Sequence, residues 1–197
     1  MTAPLSLSAP GSVSRDVDVG TVVAAQRGER WAWRVVVGVH QRRVHALVWR
    51  MLASGGRRHL VEDVVQDAFL RVFSALPRFV PDGTARLSTW ILSIATRAAI
   101  DELRRRRPPQ APLEVVANEV HGGERPDVRS EHASTGRAIA RAVGMQSPEV
   151  RAAFVLRAYH DLDYAQIAQA LDVGMGTVKS RLWRARTALA QHLTEVR

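Results

Sequence analysis

Apolar residues along this chain recur at helical rather than strand spacing almost throughout. Near the C-terminus, Val178, Leu182, Ala185 and Leu189 fall at i, i+4, i+7 and i+11, and Ile167, Ala168 and Leu171 share one face of the segment before them. That spacing predicts two short helices joined by a tight turn. Upstream, the pattern predicts helices over 18–26, 31–52 and 61–76, and a long one from Ser88 or Thr89 to Arg107. Gly28, the Ser54-Gly55-Gly56 run, Pro77 and Pro108-Pro109 punctuate them. In the second helix the apolar positions include Val35, Val39, Ala46, Leu47 and Leu52. The third is expected to bury Val61, Val65, Ala68, Val72 and Leu76, and the fourth Trp90, Ile91, Ile94 and Ala98. A further helix is expected over 132–143, and Ser147-Pro148-Glu149 has the cap, proline and acid of a helix start. With no strand pattern and no internal repeat, the fold class is all-α: two small helical domains joined by a flexible linker. The expected boundaries are a disordered Ser/Pro/Gly-rich lead at 1–15, a first domain at 16–107, a linker at 108–131 and a helix-turn-helix domain at 132–197. The linker carries Glu114, Glu119, Glu124, Asp127 and Glu131.

The polar faces of these helices carry the candidate chemistry. Opposite the Val178 stripe lie Thr177, Ser180, Arg181 and Arg184, flanked by Lys179 and Arg186. Arginine bonds guanine edges bidentately, and either cation neutralises phosphates, so this face fits the DNA major groove; an ordinary solvated basic face has the same spacing. On the third helix, Asp63, Gln66, Asp67 and Leu70 sit at i, i+3, i+4 and i+7. That row suits a partner offering cations and an apolar pocket, or else a solvated acidic face with Leu70 turned partly inward. The fourth helix ends in Arg104, Arg105, Arg106 and Arg107, which is either a dipole-stabilised helix end or a track for phosphates.

Charge narrows the partner class. The chain has 197 residues, 46% of them apolar, with a net charge of +9 and a sequence pI near 11.4, so a polyanion is the expected partner. Lys179 is the only lysine. The absence of cysteine excludes disulfides, thiol chemistry and cysteine-based zinc sites. The seven histidines form no HExxH or similar spacing, and no Ser/His/Asp grouping stands out. No enzyme activity, cofactor or metal is therefore expected. The N-terminus lacks a signal-peptide pattern and no apolar run is long enough to span a membrane. A cytoplasmic protein is the expectation.

Two units of the chain together resemble one family. EDVVQDAFLRVF (62–73) is similar to the core-binding helix, and RLSTWILSIATRAAIDELRRRR (86–107) to the promoter-melting and −10 segment, of region 2 in bacterial sigma-70-type RNA polymerase sigma factors. The stretch from Ser147 to Leu189 resembles region 4, the −35-binding domain. Their order, separation and small size are those of the extracytoplasmic-function (ECF) group. The resemblance implies a factor that binds core polymerase, recognises −35 and −10 elements and helps melt DNA.

It also implies residue roles. Asp63, Gln66, Asp67 and Leu70 would meet the β′ clamp helices, with the β subunit as a second polymerase contact. Thr96, Arg97, Ile100, Asp101 and Arg104 would face −10 DNA, and the loop from Phe79 to Leu87 would hold a flipped −10 base. Ser180, Trp183 and Arg184 would lie near −35 bases, alongside Thr177; Lys179, Arg181 and Arg186 would lie near phosphates. An anti-sigma factor is an implied partner; a small-molecule substrate or membrane insertion is not. The family often has Arg-Asn where this chain has Thr96-Arg97, and Asp172 replaces its turn glycine. Gly174 stands at the cap of the recognition helix. The alternative to this reading is a conventional helix-turn-helix regulator binding duplex DNA as a dimer.

Overall fold

A computed structural model describes residues 16–53, 56–81, 83, 86–105 and 139–195. The expected lead at 1–15 and linker at 108–131 lie outside them. Every regular element among the described residues is helical. The first four are α1 (Val19–Gln26), α2 (Arg30–Leu52), α3 (Val61–Ala75) and α4 (Leu87–Arg104). Residues 139–144 form α5, followed by α6 (Pro148–His160), α7 (Tyr164–Leu171) and α8 (Met175–Glu195).

Local chemistry sets the helix starts. Asp18 caps α1 by accepting from the Thr21 N–H at 2.9 Å and Ser147 caps α6 ahead of Pro148. Helix α4 begins two or three residues earlier than a cap at Ser88 or Thr89 would set: Arg86 stands at its N-cap position. Asp16 instead serves the helix end from outside, its carboxylate accepting from the Ser88 N–H at 3.1 Å. The C-terminus of α4 is Arg104 rather than Arg107.

Helix α4 is central. It packs on α2 and α3 along its first-unit sides and on α6 and α7 of the second unit. Ile91, Leu92, Ala95, Ala98 and Ala99 are buried along it. Of the apolar positions read on α2, Leu47 and Leu52 are buried and Ala46 is partly so. Val35 and Val39 are 40% and 42% exposed, while Val36, Val44, Leu47, Val48 and Met51 face the core. The VVVGV run is apolar all round, so periodicity could not choose its buried side. Val64 is buried on α3, with Val65 at the margin, and Trp90 and Ile94 pack on the core while partly buried.

The two units share one continuous core among the described residues. A buried cation closes the seam between them. Arg151 of α6, 4% exposed, donates to the Met51 carbonyl at the end of α2 at 2.5 Å and to the Gly144 carbonyl. Burial, then repulsion from Arg57, pushes its pKa down. Arg43 donates across the seam to the His160 carbonyl at 3.3 Å. Arg104 donates to Glu149 of α6 at 2.6 Å.

His160, at the end of α6, is buried beside this seam. Burial foremost, then Arg43 and Arg50, depresses its pKa to about 4, with Asp161 opposing. Burial likewise lowers the pKa of His40, against the pull of Asp16 3.8 Å away and with repulsion from Arg43. In the unfolded chain both groups protonate near the ordinary 6.5. Between that pH and about 4 the unfolded state therefore binds more protons, and stability falls as pH falls. Urea midpoints are expected to drop between about pH 7.5 and 5, and His160→Gln to flatten part of that slope. A pH-independent midpoint in the parent chain would contradict the assignment.

Candidate nucleic-acid and docking interfaces

The recognition element is built from the turn outward. Asp163 and Gln166 form a reciprocal capping box at the start of α7: the Gln166 N–H donates to the Asp163 carboxylate at 2.8 Å, and the Asp163 N–H to the Gln166 side-chain oxygen at 2.9 Å. The helix ends at Asp172, whose φ of 54° is left-handed. Aspartate tolerates that region better than most residues, so the turn keeps its shape without glycine. Gly174 then leads into α8, its carbonyl accepting from the N–H groups of Thr177 and Val178. Val178, Leu182 and Ala185 are buried, as the stripe predicts, and Leu189 lies at the margin. Ile167 and Ala168 anchor α7.

This geometry turns the basic face of α8 outward. Thr177, Lys179, Ser180, Arg184 and Arg186 are exposed, Arg181 is partly so, and Trp183 is 66% exposed. Ser180 Oγ donates to the Thr177 carbonyl, and Arg186 reaches the Tyr164 hydroxyl at 3.3 Å. No carboxylate among the described residues pairs with Lys179, Arg181 or Arg184. The face therefore holds uncompensated positive charge around a bare indole, which suits phosphates and base edges.

The row on α3 also faces solvent. Asp63 and Gln66 are exposed and Leu70 is 60% exposed. Leu70 is thus not turned inward. Asp67 differs from its neighbours. Arg71 donates to Asp67 at 2.8 Å and to Asp101 of α4 at 2.9 Å, so one guanidinium ties the acidic row to α4. Hydrogen bonding to Asp101, with Asp67 adding to it, raises the Arg71 pKa.

The five α4 positions expected at −10 DNA divide. Arg97 is exposed, and so are Asp101 and Arg104, but Asp101 is paired to Arg71 and Arg104 to Glu149. Thr96 is 0% exposed and Ile100 8%. Thr89, Ser93, Thr96, Ile100 and Arg104 follow one another at i, i+4, i+7, i+11 and i+15, a single side of α4. Arg104, at the end of that side, is paired with Glu149 of the second unit. The Ser93 and Thr96 hydroxyls are satisfied within α4: Ser93 donates to the Trp90 carbonyl and Thr96 to the Leu92 carbonyl, each at 2.7 Å. Of the expected arginine track, Arg105 pairs with Glu102 at 3.0 Å, and Arg106 and Arg107 lie outside the described residues. In the loop after α3, Phe79 is buried against Trp90, their ring centroids 5.0 Å apart, and Val80 is 65% exposed. Asp82, Thr84 and Ala85 lie outside the described residues.

Sequence reasoning missed Arg71, Glu149 and Arg151. The i,i+4 spacing of Asp67 and Arg71 was a visible signal for the first. The other two act across the seam, which no local pattern encodes. Among the described residues no three acidic or histidine side chains approach closely enough to hold a metal. No helix among them is long and apolar enough to cross a membrane.

Comparison with known proteins gives the two units a family. Residues 36–108 match the family Sigma-70 region 2, and residues 136–189 match Sigma-70, region 4. The chain is 31% identical over 177 residues to the ECF RNA polymerase sigma-E factor of Escherichia coli K12, covering 85% of this chain and 90% of that one. It is 28% identical over 180 residues to the ECF RNA polymerase sigma factor SigW of Bacillus subtilis, covering 87% and 94%. Among solved structures, CnrH in complex with the cytosolic domain of CnrY superposes with a TM-score of 0.62 at 25% identity, covering 89% of this chain and 96% of CnrH.

Proposed function

This chain belongs to the ECF group of the sigma-70 family of RNA polymerase sigma factors, and from that membership we propose how its surfaces divide the work of initiation. As an ECF sigma factor it joins core RNA polymerase and directs transcription from particular promoters. The α8 face, with Thr177, Ser180, Trp183 and Arg184 toward base edges and Lys179, Arg181 and Arg186 toward phosphates, grips the −35 duplex. Asp63, Gln66 and Leu70 dock on the β′ clamp helices, with Asp67 contributing through Arg71. Thr96, Arg97, Ile100, Asp101 and Arg104 serve the −10 region. The observation that carries this reading is the outward, carboxylate-free basic face of α8 on a capped helix-turn-helix. Bond making and breaking belong to the polymerase, and the factor needs no cofactor. It acts in the cytoplasm, where its polymerase and DNA are. A protein regulator is a third partner, as CnrY's cytosolic domain is for CnrH. A dimeric regulator reading has no comparable support.

Promoter engagement requires the two units to part in this account. Thr96 and Ile100 are buried in the arrangement in which α6 and α7 pack on α4, so neither side chain can reach −10 DNA there. The chain has no cysteine, so Arg27→Cys and Gln169→Cys would accept a unique dye pair, one on each unit. Energy transfer between them should fall when the labelled chain forms a promoter complex with core polymerase. Constant transfer through promoter opening would eliminate the parting step.

Two substitutions test the assigned faces in reconstituted run-off transcription. Arg184→Ala should weaken −35 binding by about 1–3 kcal/mol and relax base preference; equal losses on cognate and scrambled −35 sites would deny it a specifying role. Asp63→Arg combined with Leu70→Glu, both at exposed positions, should abolish co-elution with core polymerase while circular dichroism stays unchanged. Retained co-elution would rule out α3 as the docking helix.

A further inference from the structure

Helix α1 lies ahead of residues 36–108, the stretch that matches region 2, yet its segment reaches both ends of the loop that joins α3 to α4. At the entrance, the Gln26 side-chain amide in the last turn of α1 donates to the Leu76 carbonyl at 3.0 Å and to the Phe79 carbonyl at 2.6 Å. Both neighbours are acceptors, so an amide NH2 satisfies them and a carboxylate could not. At the exit, Asp16 accepts from the Ser88 N–H at 3.1 Å and from the Ser88 hydroxyl at 3.2 Å. That carboxylate meets the first turn of α4, where N–H groups lack partners within the helix and the dipole favours an anion. The partners stand 50, 53 and 72 residues apart in sequence, so neither clamp is a by-product of local capping. The α1 segment is itself held in place. Val22 and Ala25 are buried, and the Trp33 indole N–H of α2 donates to the Ala25 carbonyl at 2.6 Å. Between the clamps, the Gly83 N–H donates to the Val80 carbonyl at 3.0 Å, closing a turn with Pro81 at its second position. A Cβ on Gly83 would lie 3.0 Å from that carbonyl oxygen. Phe79 packs inward on Trp90 while Val80 is exposed.

We infer that Gln26 and Asp16 are positioning residues for the capture of a −10 base: by fixing the two ends of the 79–87 loop, the α1 segment sets how sharply that loop discriminates between bases. This role rests on the assignment of the loop to a flipped −10 base. Neither residue needs to touch DNA. Unstacking a base is unfavourable, and the contacts that offset it must already be in place when the base arrives. A loop freed at one end would still meet DNA but would hold the base loosely and choose poorly among the four.

The test uses the full chain bound to core polymerase, with forked promoter DNA in which each unpaired non-template −10 base is replaced in turn by the other three. The quantity read is the affinity ratio between the preferred and the least favoured base at the most selective position. Gln26→Glu sets a carboxylate against two carbonyl oxygens, and it should bring that ratio down about tenfold, as should Asp16→Ala. Gln26→Met withdraws the donors without adding charge and should lower the ratio in the same direction. Asp18→Ala removes the α1 cap but no loop contact, so it should lower the melting temperature and leave the ratio unchanged. Affinity losses that are equal for all four bases and follow the melting temperature would make Gln26 and Asp16 merely structural and overturn the inference. Val80→Glu, at the exposed tip, separates the two ways of failing. If it flattens the ratio while Gln26→Glu and Asp16→Ala do not, the positioning role is wrong and the loop assignment stands. If the ratio is indifferent to Val80→Glu, the loop assignment is wrong and the positioning role goes with it.

Discussion

Everything in this fold leans on the burial of α4. A helix with one apolar stripe needs one neighbour; α4 is buried on most of its circumference and so recruits two units to cover it. The alanines and branched side chains from Ile91 to Ala99 hold it against α2 and α3. Helices α6 and α7 of the second unit also pack on it and join the same apolar core. Arginines complete the seam. Arg151 meets two backbone carbonyls that helix ends would otherwise leave without donors. Replacing a buried, hydrogen-bonded cation by a short apolar side chain strands its acceptors, so the seam is selective for arginine there.

Much of this was legible in the chain because its signals are local. Val178, Leu182 and Ala185 declare the buried side of α8 by spacing, and with it the outward side that carries Arg184. Ser147 and Pro148 declare a helix start for the same reason: capping involves residues three or four apart. Legibility ended where local pattern was degenerate or absent. In Trp31 to Val39 nearly every position is apolar or arginine, so no phase could separate the buried Val36 from the exposed Val35 and Val39. The cap of α4 was misjudged because Asp16, far off in sequence, serves Ser88. Thr96 and Ile100 sit where family roles imply DNA contact, yet the folded chain buries both.

Arg71 gives the two assigned surfaces of the first unit a physical connection. Its guanidinium is shared between Asp67, on the exposed row of α3, and Asp101, on α4. Each pair is partly exposed, and such pairs individually contribute little to stability. Their interest is geometric: a cation that competes for Asp67 changes the field felt at Asp101.

The hydroxyls of Ser93 and Thr96 satisfy themselves on their own helix. A surface of that kind is equally at home against protein and against water, and its exposure strands no donor. Parting the units nevertheless hydrates apolar side chains of the core they share, and apolar hydration is what gives protein transitions their large heat capacity. The balance between closed and parted units should therefore curve with temperature, as the stability of each core does.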